Sequence, residues 1–270
     1  MRRWLATAGI AALCMAPLGA DVTITQSTSF EGGMMAAATQ GATPKMVMRI
    51  KGTKMRTDFE LMGQNTVTIV DVVSRQMIVL DAAKKTAQII TPEAAAKMPG
   101  EMPKIDASFK ATGQSKTIEG AQCDEHTFTM KMDMSEMGAS GQMPPEAAAM
   151  MKDVQMMIAG NVWVAKSGPG TADYVALQKA AIAANMAGAL TGAGGRTPGG
   201  MEKMLAAAAS APGLPYLSEI NTSFSGTGPM VQMLQQSGAM KITQKVTSVS
   251  TDAIPDDMFT VPAGYKVENK

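Results

Sequence analysis

Residues 127–134 read TFTMKMDM, a strict alternation of polar and apolar side chains. The odd positions are polar and the even positions apolar, so the two sets lie on opposite faces of an extended chain. A period of two is typical of a strand with one solvated face and one face that is buried or lines a cavity. The stretch predicts an antiparallel sheet whose inner face carries Phe128, Met130, Met132 and Met134.

Further short strands are predicted on both sides of this stretch. Turn-forming residues separate apolar or alternating runs at 22–25, 46–50, 55–59, 67–70, 76–80, 86–90, 105–111, 117–134 (which includes the stretch above), 161–164, 216–225 and 240–249. Closely spaced runs of this kind predict a meander of antiparallel strands. Met48 and Trp163 lie in two of these strands, and we add them to the candidate lining residues.

Helical signals concentrate between residues 135 and 215. Residues 145–158 and 201–211 read as helices, and residues 171–190 form the strongest candidate because apolar side chains recur near helical spacing. Residues 191–200 are rich in Gly and Pro and are predicted to be a loop. Short helices are also expected at 91–98, where Thr91 is a suitable N-cap, and near 230–235.

This order of elements predicts one α+β domain over residues 21–268, a curved antiparallel sheet covered by helices. An Ala/Met-rich, helix-rich insertion occupies about residues 135–215.

The first twenty residues have the pattern of a secretory signal. A basic start is followed by an apolar run from Leu5 to Leu18 and by small residues before Asp21. We therefore expect a periplasmic protein. Removal of the signal would take Cys14 with it and leave Cys123 as the one cysteine, for which we expect a reduced, buried thiol.

Composition and missing motifs exclude several classes of protein. A formal charge of +1 and only 4% aromatic residues argue against binding nucleic acid. No apolar run after the signal is long enough for a transmembrane segment. His126 is the one histidine, so a zinc site with two histidines is excluded, and no nucleophile elbow or phosphate-binding loop is present. We expect no enzymatic activity and no cofactor.

The 27 methionines allow two functional interpretations. Methionine fills irregular apolar space and lines adaptable pockets, which favours an apolar ligand. Thioethers also bind copper(I), and a copper site would then use His126, Met130, Met132 and Met134. A structural interaction module without a ligand is the third alternative.

Several segments together resemble the LolA/LolB-like superfamily of periplasmic lipoprotein carriers, and specifically an uncharacterised bacterial branch of it. The similar segments are residues 48–56, 69–71, 77–86, 118–123, 161–165 and 254–265. The resemblance implies an incomplete antiparallel barrel wrapped around helices, with an apolar cavity for lipid. It also implies an apolar small molecule, a lipid or an envelope protein as partner.

Overall fold

A computed structural model of the chain describes residues 21–39, 41–61, 63–91, 93–94, 104–135, 146, 149–150, 153–190, 201–227, 229–236 and 238–269. The predicted signal (1–20) and the predicted loop (191–200) lie outside these residues. So do most of the predicted helix at 91–98 and part of the one at 145–158.

The described residues form twelve strands and a few helices. The strands are β1 Val22–Glu31, β2 Lys45–Lys51, β3 Lys54–Leu61, β4 Gln64–Asp71, β5 Gln76–Asp81, β6 Thr86–Ile90, β7 Ile105–Ile118, β8 Ala121–Asp133, β9 Gln155–Ala165, β10 Leu214–Ser225, β11 Met240–Ser250 and β12 Lys266–Asn269. The helices are α1 Gly33–Thr39, α2 Thr171–Ala183, α3 Ala187–Leu190, α4 Met201–Ser210 and α5 Pro229–Gln236, with a 3-10 turn at Asp256–Phe259.

All twelve strands belong to one sheet in the order β12-β6-β5-β4-β3-β2-β1-β11-β10-β9-β8-β7. Neighbouring strands are antiparallel except β12 and β6, which are parallel. The sheet is large, curved and not closed. The prediction of an α+β fold with a curved antiparallel sheet is therefore confirmed.

The main core lies where α2 and α3 pack on the sheet. Leu177 and Ala181 of α2 are fully buried against a cluster that includes Val22, Ile24 and Ile50. Gly170 precedes α2 with φ of 70°, and a Cβ there would overlap the Val22 side chain. This glycine therefore permits both the left-handed backbone and the close approach of α2 to β1.

A second apolar cluster covers the other face of β4, β5 and β6. Ile254 and Phe259 pack there against strand residues such as Val67 and Leu80. Two basic side chains bind the backbone of the segment 254–259. Lys51 Nζ donates a hydrogen bond to the Ile254 carbonyl (2.7 Å), and Arg56 Nη1 donates one to the Met258 carbonyl (3.0 Å).

The structure corrects three helix and strand predictions. Residues 155–158, predicted as helix, begin strand β9, because they pair with both β8 and β10 in the middle of the sheet. The predicted helix 171–190 is two helices, separated near Asn185, whose φ is 56°. The strand predicted over 117–134 is divided by a turn at Glu119 and Gly120, which have φ of 47° and 79°.

Other local predictions are confirmed. The N–H of Ala94 donates to Thr91 Oγ1 (3.2 Å), which is the predicted N-cap interaction. Helices α4 and α5 lie close to the predicted positions. None of the helices in the described part of the chain combines the length and apolarity needed to cross a membrane.

Candidate functional site: an apolar groove

A groove of about 730 Å³ lies between helix α4 and five neighbouring strands, β7 to β11. Three phenylalanines and four methionines contribute to its lining: Phe109, Phe128, Phe224, Met130, Met156, Met204 and Met240. Ile158, Ile220 and Ile242 add branched aliphatic surface. We call this feature the apolar groove.

Strand register explains why these residues share one surface. Phe128 pairs with Gly160, which pairs with Ile220, which in turn pairs with Ile242. Directly paired residues lie on the same face of the sheet. These four residues therefore form a row across the strands, and the sheet surface that such rows make up is the floor of the groove. Five strands at a spacing of about 4.8 Å give a floor about 19 Å wide.

Gly160 lies at the centre of this floor. A Cβ at this position would overlap the carbonyl oxygen of Glu219 on the neighbouring strand. The β9 and β10 backbones therefore approach each other more closely than a side chain at residue 160 would allow.

Among the described residues, no charged side chain lines the groove, and the polar side chains in the lining are the hydroxyls of Ser218 and Thr222. A lining of this kind cannot compensate a buried ionic group, since a buried charge needs a partner. The part of the lining that the structure describes offers no side chain that could serve as a general acid or base. The groove can therefore bind apolar matter by desolvation and by contact.

The structure brings together only part of the predicted cavity residues. Phe128 and Met130 line the groove. Met132 is half-buried and pairs with the lining residue Met156. Met134 follows β8, and its N–H donates to the Val154 carbonyl (2.9 Å).

Met48 and Trp163 lie elsewhere. Met48 is partly buried and packs against the main core cluster. Trp163 is a buried member of that cluster, with Lys116 Nζ located 3.8 Å from the centre of its ring. Neither residue is among those that line the groove.

Sequence reasoning missed the lining from β9, β10, β11 and α4. An alternation signal was available in β10, where Ile220, Thr222 and Phe224 are two residues apart and face the groove. Nothing local in the sequence indicates that α4 packs beside them, because that contact joins distant segments.

The geometry of β8 disfavours the alternative copper site. A strand rises about 3.3 Å per residue, so the Cα atoms of His126 and Met130 lie about 13 Å apart and those of His126 and Met132 about 20 Å apart. Parallel side chains at such separations do not converge on one ion. The His126 ring instead stacks on Phe109, with 4.9 Å between ring centres. No group of three or more His, Cys, Asp or Glu residues that could hold a metal occurs in the described part of the chain.

Cys123 is buried and free, as predicted. Its thiol donates a long hydrogen bond to the Ala121 carbonyl (3.5 Å). Burial raises the pKa of the thiol, and the neighbouring carboxylate of Asp124 raises it further. The thiol therefore stays protonated and shielded at neutral pH.

We expect a bulky maleimide to react with Cys123 in the native protein about 100-fold more slowly than in the urea-unfolded chain at pH 8. The reaction is followed by intact mass. Comparable rates in the two states would contradict burial of the thiol.

The comparisons with known proteins identify a domain but no activity. Residues 30–156 match a family model described as "Domain of unknown function (DUF4412)". The chain is also similar to a crystal structure of an uncharacterized conserved protein from Thermus thermophilus, with 8% identity and a TM-score of 0.38. That alignment covers 94% of this chain and 92% of the other. No curated protein sequence matches.

Proposed function

We propose that the protein is a non-enzymatic carrier that binds an apolar ligand, such as a lipid acyl chain, in the apolar groove. The observation that carries the proposal is an open groove of about 730 Å³ whose described lining consists of apolar side chains and two hydroxyls. This volume is within the range of about 300–1,000 Å³ that is typical of ligand pockets.

An acyl chain suits both the length and the chemistry of the groove. Lining residues recur at every second position of β10 from Ser218 to Phe224, a span of six residues or about 20 Å along a strand. Each methylene group transferred from water into such a site contributes about 0.8 kcal/mol. Methionine side chains adapt to different chain shapes, so the site does not require one particular lipid.

We further propose a periplasmic carrier of the LolA/LolB-like kind, with a lipid or an envelope protein as partner. The signal-like residues 1–20 support export. The segments that resemble the superfamily and the open, curved sheet with helices packed on it support the kinship.

The proposal is tested by titrating delipidated protein with a dansyl-labelled undecanoic acid. We expect saturable binding of the probe, with the blue shift in emission that accompanies entry into an apolar site, and competition by unlabelled fatty acid. Absence of saturable binding would contradict a carrier role and favour a structural interaction module.

The double variant Met130→Leu/Met132→Leu separates apolar binding from copper binding. Volume and apolarity are conserved, and each such exchange costs less than about 1.5 kcal/mol of stability. We expect the variant to bind the fatty-acid probe within about threefold of wild type, a difference below about 1 kcal/mol.

A titration with copper(I) in a competing chelator is the matched measurement. If the protein is a carrier of apolar ligands, we expect no tight copper(I) site in either wild type or the double Leu variant. A tight copper(I) site in wild type that disappears in the Leu variant would replace the carrier proposal by the metal alternative, because leucine has no sulfur ligand.

A further inference from the structure

The sheet splits between strands β10 and β11. These strands pair from Thr222 with Met240 to Leu217 with Lys245, and the pairing ends there. Strand β11 continues to Ser250 and remains paired with β1. Strand β10 instead bulges after Pro215 and stays with β9. Among the described residues, the β11 edge over 246–250 that faces away from β1 has no strand partner.

A second cavity, of about 520 Å³, occupies this split, and we call it the β11 cleft. Four consecutive residues of β11 line it: Val246, Thr247, Ser248 and Val249. A bulge interrupts the alternation of β11 here, since Val246 pairs with Gln26, Ser248 pairs with Thr25, and Thr247 has no partner in β1. The rest of the lining, including Tyr216 of β10, comes from segments on the side of β11 that faces away from β1. The cleft therefore lies against the open edge of the strand.

The chemistry of the cleft suits a polypeptide backbone. The open edge of an antiparallel strand offers paired N–H and C=O groups at every second residue. The opposite wall includes the small residues Gly120, Ala121 and Gly168, which leave room for another main chain. Glu119, a lining residue, forms an ion pair with Lys245 (2.6 Å), so the cleft presents no unpaired carboxylate there.

We propose that the β11 cleft binds an extended, uncharged peptide segment, which adds as a strand to the open edge of β11. The four lining residues of β11 correspond to about 13 Å of extended chain. Main-chain hydrogen bonds provide the affinity in this mode of recognition, and alternate side chains provide the specificity. A neutral peptide suits the cleft because Lys245 already neutralises the carboxylate of Glu119. This inference does not depend on the apolar groove.

The probe is the capped pentapeptide acetyl-Thr-Val-Thr-Val-Thr-amide, titrated into the isotope-labelled full chain. We expect saturable shifts of amide signals within residues 246–250 and slower hydrogen exchange of the amides on the open edge. Binding that shows no saturation up to about 1 mM, or that protects only residues of the apolar groove, would overturn the proposal.

Two N-methylated versions of the peptide test the mode of binding. One carries methyl groups on residues 2 and 4, and the other on residues 1, 3 and 5. Alternate N–H groups of a strand point to opposite sides, so one version should lose at least about tenfold in affinity while the other stays within about twofold. Equal affinities for the two versions would contradict strand addition.

The substitution Gln122→Trp fills the cleft from its exposed side. Thr117→Trp is the matched control, because Thr117 Oγ1 donates to Gln122 Oε1 (3.1 Å) and either substitution removes that bond. Thr117 is exposed and does not line the cleft. We expect at least tenfold weaker peptide binding for Gln122→Trp alone, with fatty-acid probe binding unchanged in both. Wild-type peptide affinity in Gln122→Trp would overturn the assignment.

Discussion

Replacing Ser218 by Trp should weaken binding of the fatty-acid probe at least tenfold while the protein remains folded. Ser218 is half-buried on β10, and its hydroxyl contributes to the lining of the groove. The indole would occupy volume that the ligand needs. Because the groove is open space and Trp is favoured in strands, the substitution should not strain the sheet. Probe titration and thermal unfolding measure the two effects.

Ser223→Trp is the matched control. Ser223 lies on the same strand at an odd position, pairs with Met157 and faces away from the groove. We expect its probe affinity to remain within about twofold of wild type, which is less than about 0.5 kcal/mol. If Ser218→Trp bound the probe as wild type does, the apolar groove would not be the site.

Gly160→Ala should destabilise the protein by about 3 kcal/mol or more. The new Cβ would overlap the Glu219 carbonyl oxygen and lie about 3.1 Å from the Ile220 Cα. Both atoms belong to the backbone of β10, so the clash is relieved only if two central strands separate. Urea unfolding measures the change.

Ala159→Val tests whether any enlargement of β9 has this effect. Ala159 precedes Gly160 and points to the opposite face, and a β-branched side chain is favoured in a strand. We expect a change of less than about 1 kcal/mol in the free energy of unfolding. A similarly small change for Gly160→Ala would show that β9 and β10 tolerate separation at this point.

The local elements were largely predictable from the sequence. Alternation identified the strands of residues 21–91 and the stretch of β8 that carries Phe128 and Met130, because a period of two is a property of neighbouring residues. The N-cap at Thr91 and the short helix α5 follow equally local rules. The prediction for residues 155–158 was wrong, because a short apolar run is compatible with either a helix or a strand. These residues form a strand because they pair with both β8 and β10.

The sequence by itself determined the antiparallel strands, the inward side of β8, the burial of Cys123 and the absence of the motifs of common enzymes. Tertiary structure alone decided which of these residues meet. Met48 and Trp163 carry the same local signal as Met130, yet they join the main core. Met240 and Ile242 reach the groove because β11 pairs with β10, and α4 encloses it from a distant segment. Alternation specifies a face of each strand, whereas strand order, register and helix placement depend on contacts between distant segments. The groove and the β11 cleft arise from those contacts.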